Sequence, residues 1–177
     1  MSTTAPSQAT ENPRRQLTLV AMIFAVAMMF IDQTIVSLAI PSLSGELTLS
    51  TTGAQWIVNG YLLSLAAFFV LGGKLADTLG HRRILYIGVA GFALASALCG
   101  ATPTGSGGEA WIIFFRIVQG AFAALLFPAA LAIVTAAFPR EQRGRALALF
   151  FGITGALTAV GPLAGGYLTE WTWRAIF

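Results

Sequence analysis

The chain has 177 residues, of which 56% are hydrophobic and only 10% charged, with a formal net charge of +3 and a mean hydropathy of +0.79. A water-soluble domain carries about 25% charged residues to cover its surface, so this chain cannot face water on all sides. One cysteine, Cys99, and one histidine, His81, exclude a disulfide framework and a Cys- or His-rich metal centre, and the charges fall between apolar runs, which removes nucleic acid as a partner and makes the lipid bilayer the expected one.

Residues 1–16 read as a polar, disordered tail on the cytoplasmic side. Five apolar runs follow at residues 17–40, 55–73, 84–101, 111–138 and 146–168, each near the roughly 20 helical residues that span a bilayer. A sixth span starts at Ala175. The expected fold is therefore an all-α polytopic membrane bundle. The first run is too long for the apolar core of a signal peptide, about 7–15 residues, and no small-residue cleavage site follows it. Arg14 and Arg15 before it fit a topology determinant better than a twin-arginine signal.

Arg14, Arg15, Lys74, Arg82, Arg83, Arg140, Arg143 and Arg145 fall on one side of the spans and Arg174 on the other. The positive-inside rule then puts the N-terminus in the cytoplasm. Trp56, Trp111, Trp171 and Trp173 sit at span ends on the opposite side, where an indole finds both apolar and wet surroundings.

Asp32 lies deep in the first span. A carboxylate at the centre of a spanning helix costs about 2.5–3.5 kcal/mol, so it marks a cavity or a partner. Arg116 is the other charge within a span. At ~1.5 Å per residue, Asp32 stands about 22 Å above the start of its helix and Arg116 about 7 Å below the start of its own, which brings them to similar depth in the outer half. They are expected to face one cavity and to couple directly, through Gln119 or through water. Snorkelling of Arg116 to the interface is the alternative. Gln119 and Gly120 share the face of Arg116, and Gly120 with Ala124 forms a small-xxx-small pair for close helix approach. The fifth span holds Gly152, Gly155, Gly161, Pro162, Gly165 and Gly166, a composition for close packing and bending. In the second connection Asp77 stands at a helix C-terminus, which disfavours an acid, beside Gly80, His81, Arg82 and Arg83, implying a charge network between helix ends. Cys99 and most phenylalanines read as packing or lipid-facing groups. No nucleophile–base pair, phosphate loop or metal-ligand set is visible, so neither enzyme activity nor a cofactor is expected.

Together these stretches resemble the N-terminal part of a major facilitator superfamily transporter. GKLADTLGHRR at residues 73–83 is similar to motif A, and RIVQGAFAA at residues 116–124 to motif B. GPLAGG at residues 161–166 resembles motif C, which marks antiporters. IDQTIVSLAIP at residues 31–41 resembles the first-span signature of the fourteen-spanner drug:H⁺ antiporters. QWIVNGYLL at residues 55–63 and WRAIF at residues 173–177 resemble further stretches of that family. The likeness runs in order over residues 17–177. It implies a proton-driven exporter of amphipathic, often cationic molecules, working by alternating access with the proton gradient as driving force and located in the cytoplasmic membrane. Asp32 would be the protonation or cation-contact site, tuned by Arg116 with Gln119. Gly73, Asp77, Gly80, His81, Arg82 and Arg83 would form a conformational latch, and Gly161, Pro162, Gly165 and Gly166 the interface that favours export. Three positions depart from the pattern: Thr78 and His81 in motif A and Phe122 in motif B. His81 makes the partner of Asp77 an open question. The length is that of an incomplete six-helix bundle, so a missing C-terminal half is an expected partner. Transport of a single metabolite or lipid, or a non-transporting membrane interaction module, are the rival expectations.

Overall fold

The computed structural model describes residues 13–177, so the expected tail lies outside the described residues up to residue 12. Its elements are α1 (Pro13–Leu47), α2 (Thr51–Leu79), α3 (His81–Gly100), α4 (Gly108–Ala137), α5 (Arg140–Thr158) and α6 (Val160–Trp171), followed by a 3-10 turn over Trp173–Ile176. Among the described residues, five segments are long and apolar enough to cross a membrane: α1 to α4, and Arg140–Trp171 comprising α5 and α6. The architecture is all-α among the described residues, with each helix outrunning the apolar stretch that defines it. Residues 13–16, expected in the tail, form the first turn of α1. Proline is suited to that place because its fixed φ is helical and its missing N–H has no helical partner there.

The connections are short because local chemistry closes each helix. Ser50 caps α2 by accepting the Gly53 N–H at 2.8 Å. A single residue, Gly80, separates α2 from α3, with φ of 97°, a conformation that L side chains rarely adopt. The expected fifth span is two helices rather than one, meeting at Ala159. Pro162 lacks the N–H that would bond the Thr158 carbonyl, and the Thr34 hydroxyl of α1 lies 3.4 Å from that oxygen.

α4 is the centre of the bundle, with α2 and α3 packed along it and α1 crossing it; α5 and α6 are held mainly through α1. Missing side chains set the closest approaches. A Cβ on Gly120 would overlap the Tyr61 carbonyl, and one on Gly72 the Ala124 carbonyl. That second oxygen is the one Pro128 leaves without a helical donor. Phe122, the departure in motif B, packs over Gly91 of α3, so the larger residue on one helix meets a glycine on the next.

Two apolar clusters result. One, toward the end bearing Arg14 and Arg15, includes Met22, Val26, Met29, Tyr61, Phe92, Ala123, Leu126 and Phe150. The other includes Ile35, Val36, Leu43, Ile57, Cys99, Ile112 and Trp173. Outside them, large apolar side chains such as Val70, Leu94 and Leu163 are exposed by 80%, 64% and 78%. Apolar groups thus lie both within and around the bundle, the arrangement that hydrocarbon rather than water accommodates.

Candidate functional site

The seam between the two clusters holds the polar residues that the apolar packing cannot absorb. On α1, Asp32 lies between Met29 of one cluster and Ile35 of the other, and on α4, Arg116 and Gln119 lie between Ile112 and Ala123. Arg116 is 1% exposed, Gln119 fully buried and Asp32 6% exposed. Arg116 Nη1 donates to Asp32 Oδ2 at 2.6 Å and to Gln119 Oε1 at 2.7 Å. Gln119 Nε2 donates to Asp32 Oδ1 at 2.9 Å, and Arg116 Nε donates to the Ile57 carbonyl at 3.1 Å. The three side chains close a ring in which both carboxylate oxygens accept a bond. The spacing of three between Arg116 and Gln119 makes this possible, because it sets both on the helical face turned to α1. Arg116 does not snorkel; it is paired in the interior.

Asp32 also lines a cavity of about 420 Å³, bounded by α1 through Phe24, Met28, Ile31 and Ile35, by Phe92 and Ser96 of α3, by Leu157 and by Phe177. The wall is apolar apart from Asp32 and Ser96, and the Ser96 hydroxyl donates to the Phe177 carbonyl at 2.8 Å. One acid in a largely apolar chamber is a group whose ionic state changes the net charge of the ring. With Asp32 ionised the ring is neutral; with Asp32 protonated it carries the charge of Arg116.

The glycines of motif C meet α1 on either side of Asp32. A Cβ on Gly161 would overlap the Thr34 hydroxyl and would stand 3.1 Å from the Ile31 carbonyl, and one on Gly165 would stand 2.8 Å from Ile35 Cγ1. Pro162 and Gly166 are exposed on the other face of α6. Motif C and the α1 signature are thus one packing contact, which neither stretch reveals when read alone.

Motif A lies apart from this ring, at the end bearing the N-terminal arginines. Asp77 Oδ1 is 3.2 Å from His81 Nε2 across the one-residue turn, so His81 is the partner of Asp77. Arg82 and Arg83 are exposed. A Cβ on Gly73 would stand an ordinary 3.7 Å from Pro128 Cβ, while the tight approach belongs to its neighbour Gly72. At the opposite end, Trp173 differs from its expected place among headgroups. It is 2% exposed, and its Nε1 donates to Glu46 Oε2 at 2.6 Å. Arg174 joins Glu46 at 2.9 Å and donates to the Gly100 and Thr102 carbonyls at 3.0 and 2.7 Å. Indole and guanidinium together bind the turn after α6 to the ends of α1 and α3.

Sequence reasoning missed Tyr61 and the Ile57 carbonyl as parts of the ring's surroundings. The Arg116 guanidinium carbon lies 4.3 Å from the centroid of the fully buried Tyr61 ring. No feature of the QWIVNGYLL stretch distinguishes this tyrosine from a packing residue.

Comparison with known proteins agrees with this architecture. The family model described as Major Facilitator Superfamily matches residues 22–177. The chain is 43% identical over 161 residues to the tetracenomycin C resistance and export protein of Streptomyces glaucescens, covering 90% of this chain and 29% of that protein. It is 40% identical over 166 residues to the puromycin resistance protein of Streptomyces alboniger, covering 92% and 32%. With the multidrug resistance protein Stp of Mycobacterium tuberculosis the figures are 37% over 168 residues, 94% and 30%. The chain thus spans about three-tenths of the length of these relatives. A bundle of apolar helices closed around one buried acid–base ring, and a match running from the first span to the last residue, lead to one assignment: the chain belongs to the Major Facilitator Superfamily.

Proposed function

We propose that this chain is the N-terminal part of a longer exporter that carries amphipathic, often cationic small molecules out of the cell in exchange for protons. The observation that carries the reading is the Asp32–Arg116–Gln119 ring, whose Asp32 stands on the wall of an apolar cavity. Supporting it, the relative at 43% identity is a resistance and export protein and the one at 40% identity a resistance protein. In this reading Asp32 holds either a proton or the charge that attracts a cation. An apolar cation entering the cavity gains from an ionised Asp32 and loses from a protonated one, since the ring then already bears a positive charge. The two ligands therefore exclude each other, which is the requirement for exchange. Arg116 and Gln119 fix the carboxylate by donating to both of its oxygens.

The remaining assignments follow from the same reading. The N-terminus lies in the cytoplasm, on the side rich in arginine. Gly73, Asp77, Gly80, His81, Arg82 and Arg83 act as the conformational latch at that face. Gly161, Pro162, Gly165 and Gly166 form the export interface, two of them packed on the α1 turn of Asp32 and two free to meet the other half of the transporter. No cofactor takes part; the proton gradient drives the cycle.

The test uses the intact transporter in everted membrane vesicles, with ethidium as the probe and an imposed pH gradient. Asp32→Asn should abolish gradient-driven ethidium uptake while protein level and insertion are unchanged. Uptake by Asp32→Asn at the wild-type rate and with the wild-type pH dependence contradicts the assignment.

A further inference from the structure

Arg116 has a support that carries no charge and does not change when Asp32 changes. We infer that the Tyr61 ring is a positioning group that holds the Arg116 guanidinium in place while Asp32 is neutral, so that the ring of hydrogen bonds can open and re-form around a fixed cation. The inference rests on the reading of Asp32 as a proton site and extends it to α2.

A buried guanidinium that loses its anion is expensive to keep in an apolar interior. When a proton occupies Asp32, the charge of Arg116 has to be compensated by groups that remain. The Ile57 carbonyl and Gln119 Oε1 are two such groups. The third is the face of Tyr61, 4.3 Å from the guanidinium carbon and well inside the ~6 Å at which an aromatic face attracts a cation. Arg116 and Tyr61 are both buried, 1% and 0% exposed, and burial strengthens that attraction.

Tyr61 is itself held at both ends without the help of Asp32's carboxylate. Its hydroxyl donates to the Met29 carbonyl at 3.3 Å. Its own carbonyl rests on Gly120, one helical turn after Arg116, where any Cβ would push α2 away. The glycine of motif B thus brings the aromatic face over the arginine of the same motif. The titratable and charged groups that share this interior are Asp32, Tyr61, Cys99 and Arg116, from α1, α2, α3 and α4 respectively. α5 carries its charged residues in its first six positions and α6 at Glu170, near its end.

The experiment is a double-mutant cycle on the intact transporter in detergent, read as the midpoint of thermal unfolding. Position 61 is varied to Leu, to Phe and to a ring-fluorinated phenylalanine, which keeps the shape but removes the negative face. Each is made in the wild-type and the Asp32→Asn background. Removing the aromatic face should lower the midpoint by a further ~1–2 °C in the Asp32→Asn background, as expected for losing one desolvated cation–π contact in a transporter about three times as long as this chain. Tyr61→Phe should lack this extra loss. Equal losses in the two backgrounds, the additive result of a residue that only fills space, overturn the inference. The fluorinated variant keeps the test decisive if Tyr61→Leu does not fold. A pH arm separates this inference from the reading beneath it. If the cost of fluorination at an intact Asp32 grows as pH falls, both stand. If the cycle is non-additive but that cost is flat with pH, Tyr61 supports Arg116 and it is the proton role of Asp32 that fails.

Discussion

Asp32 and Arg116 owe their burial to complementarity of number as well as charge. Asp32 accepts one bond on each oxygen, and Arg116 divides its donors among Asp32, Gln119 and the Ile57 carbonyl. Removing one member takes away the other's opposite charge, whereas removing both leaves an apolar gap. Asp32→Ala should therefore destabilise the bundle by about 3–5 kcal/mol, the cost of an unpaired buried charge. The double replacement Asp32→Leu with Arg116→Met should recover most of that stability while remaining inactive in transport. Chemical unfolding in detergent, compared with vesicle uptake, separates the two effects. A double variant as unstable as Asp32→Ala would mean that the surrounding helices, not the charge pair, set the cost. At this scale the sequence was legible where a charge stood in an apolar run, since apolar surroundings force an explanation. Tyr61 was not legible, because an aromatic residue in an apolar run needs none.

At the scale of elements, the helices were legible from uninterrupted apolar runs, and their contacts were not. The Gly72–Gly73 pair shows why. They stand side by side where motif A begins, yet only Gly72 faces the carbonyl of Ala124, which Pro128 leaves without a helical donor. A run of residues reports which positions are small, but not which way the neighbouring helix turns them. Gly72→Ala should cost about 1–3 kcal/mol by forcing α2 off α4. Gly73→Ala should be neutral or stabilise by up to about 1 kcal/mol, as expected for a helical glycine with room for a methyl group. Unfolding midpoints of the two variants, measured side by side, check the difference, and equal costs would contradict the packing described. Phe122 makes the same point from the other side. It departs from motif B in sequence, and its ring occupies the space that Gly91 on α3 leaves open. The break at Ala159 likewise needed both Pro162 and the Thr34 hydroxyl, which lies on a helix far away in the chain.

At the scale of the whole molecule, the apolar composition and the ordered motifs made the class legible, and the family match over residues 22–177 agrees. The closure of the end opposite the N-terminal arginines was not legible. Trp173 looked like a headgroup anchor because it follows a span, but Glu46 and Arg174 draw it into the bundle. For the proposed exchange, Asp32 has to give up a proton when a cation occupies the cavity beside it. The most direct test is proton release from the purified intact transporter in weakly buffered detergent solution when tetraphenylphosphonium is added. The account predicts release that saturates with binding in the wild type and is absent in Asp32→Asn. Release of equal size in Asp32→Asn would contradict it.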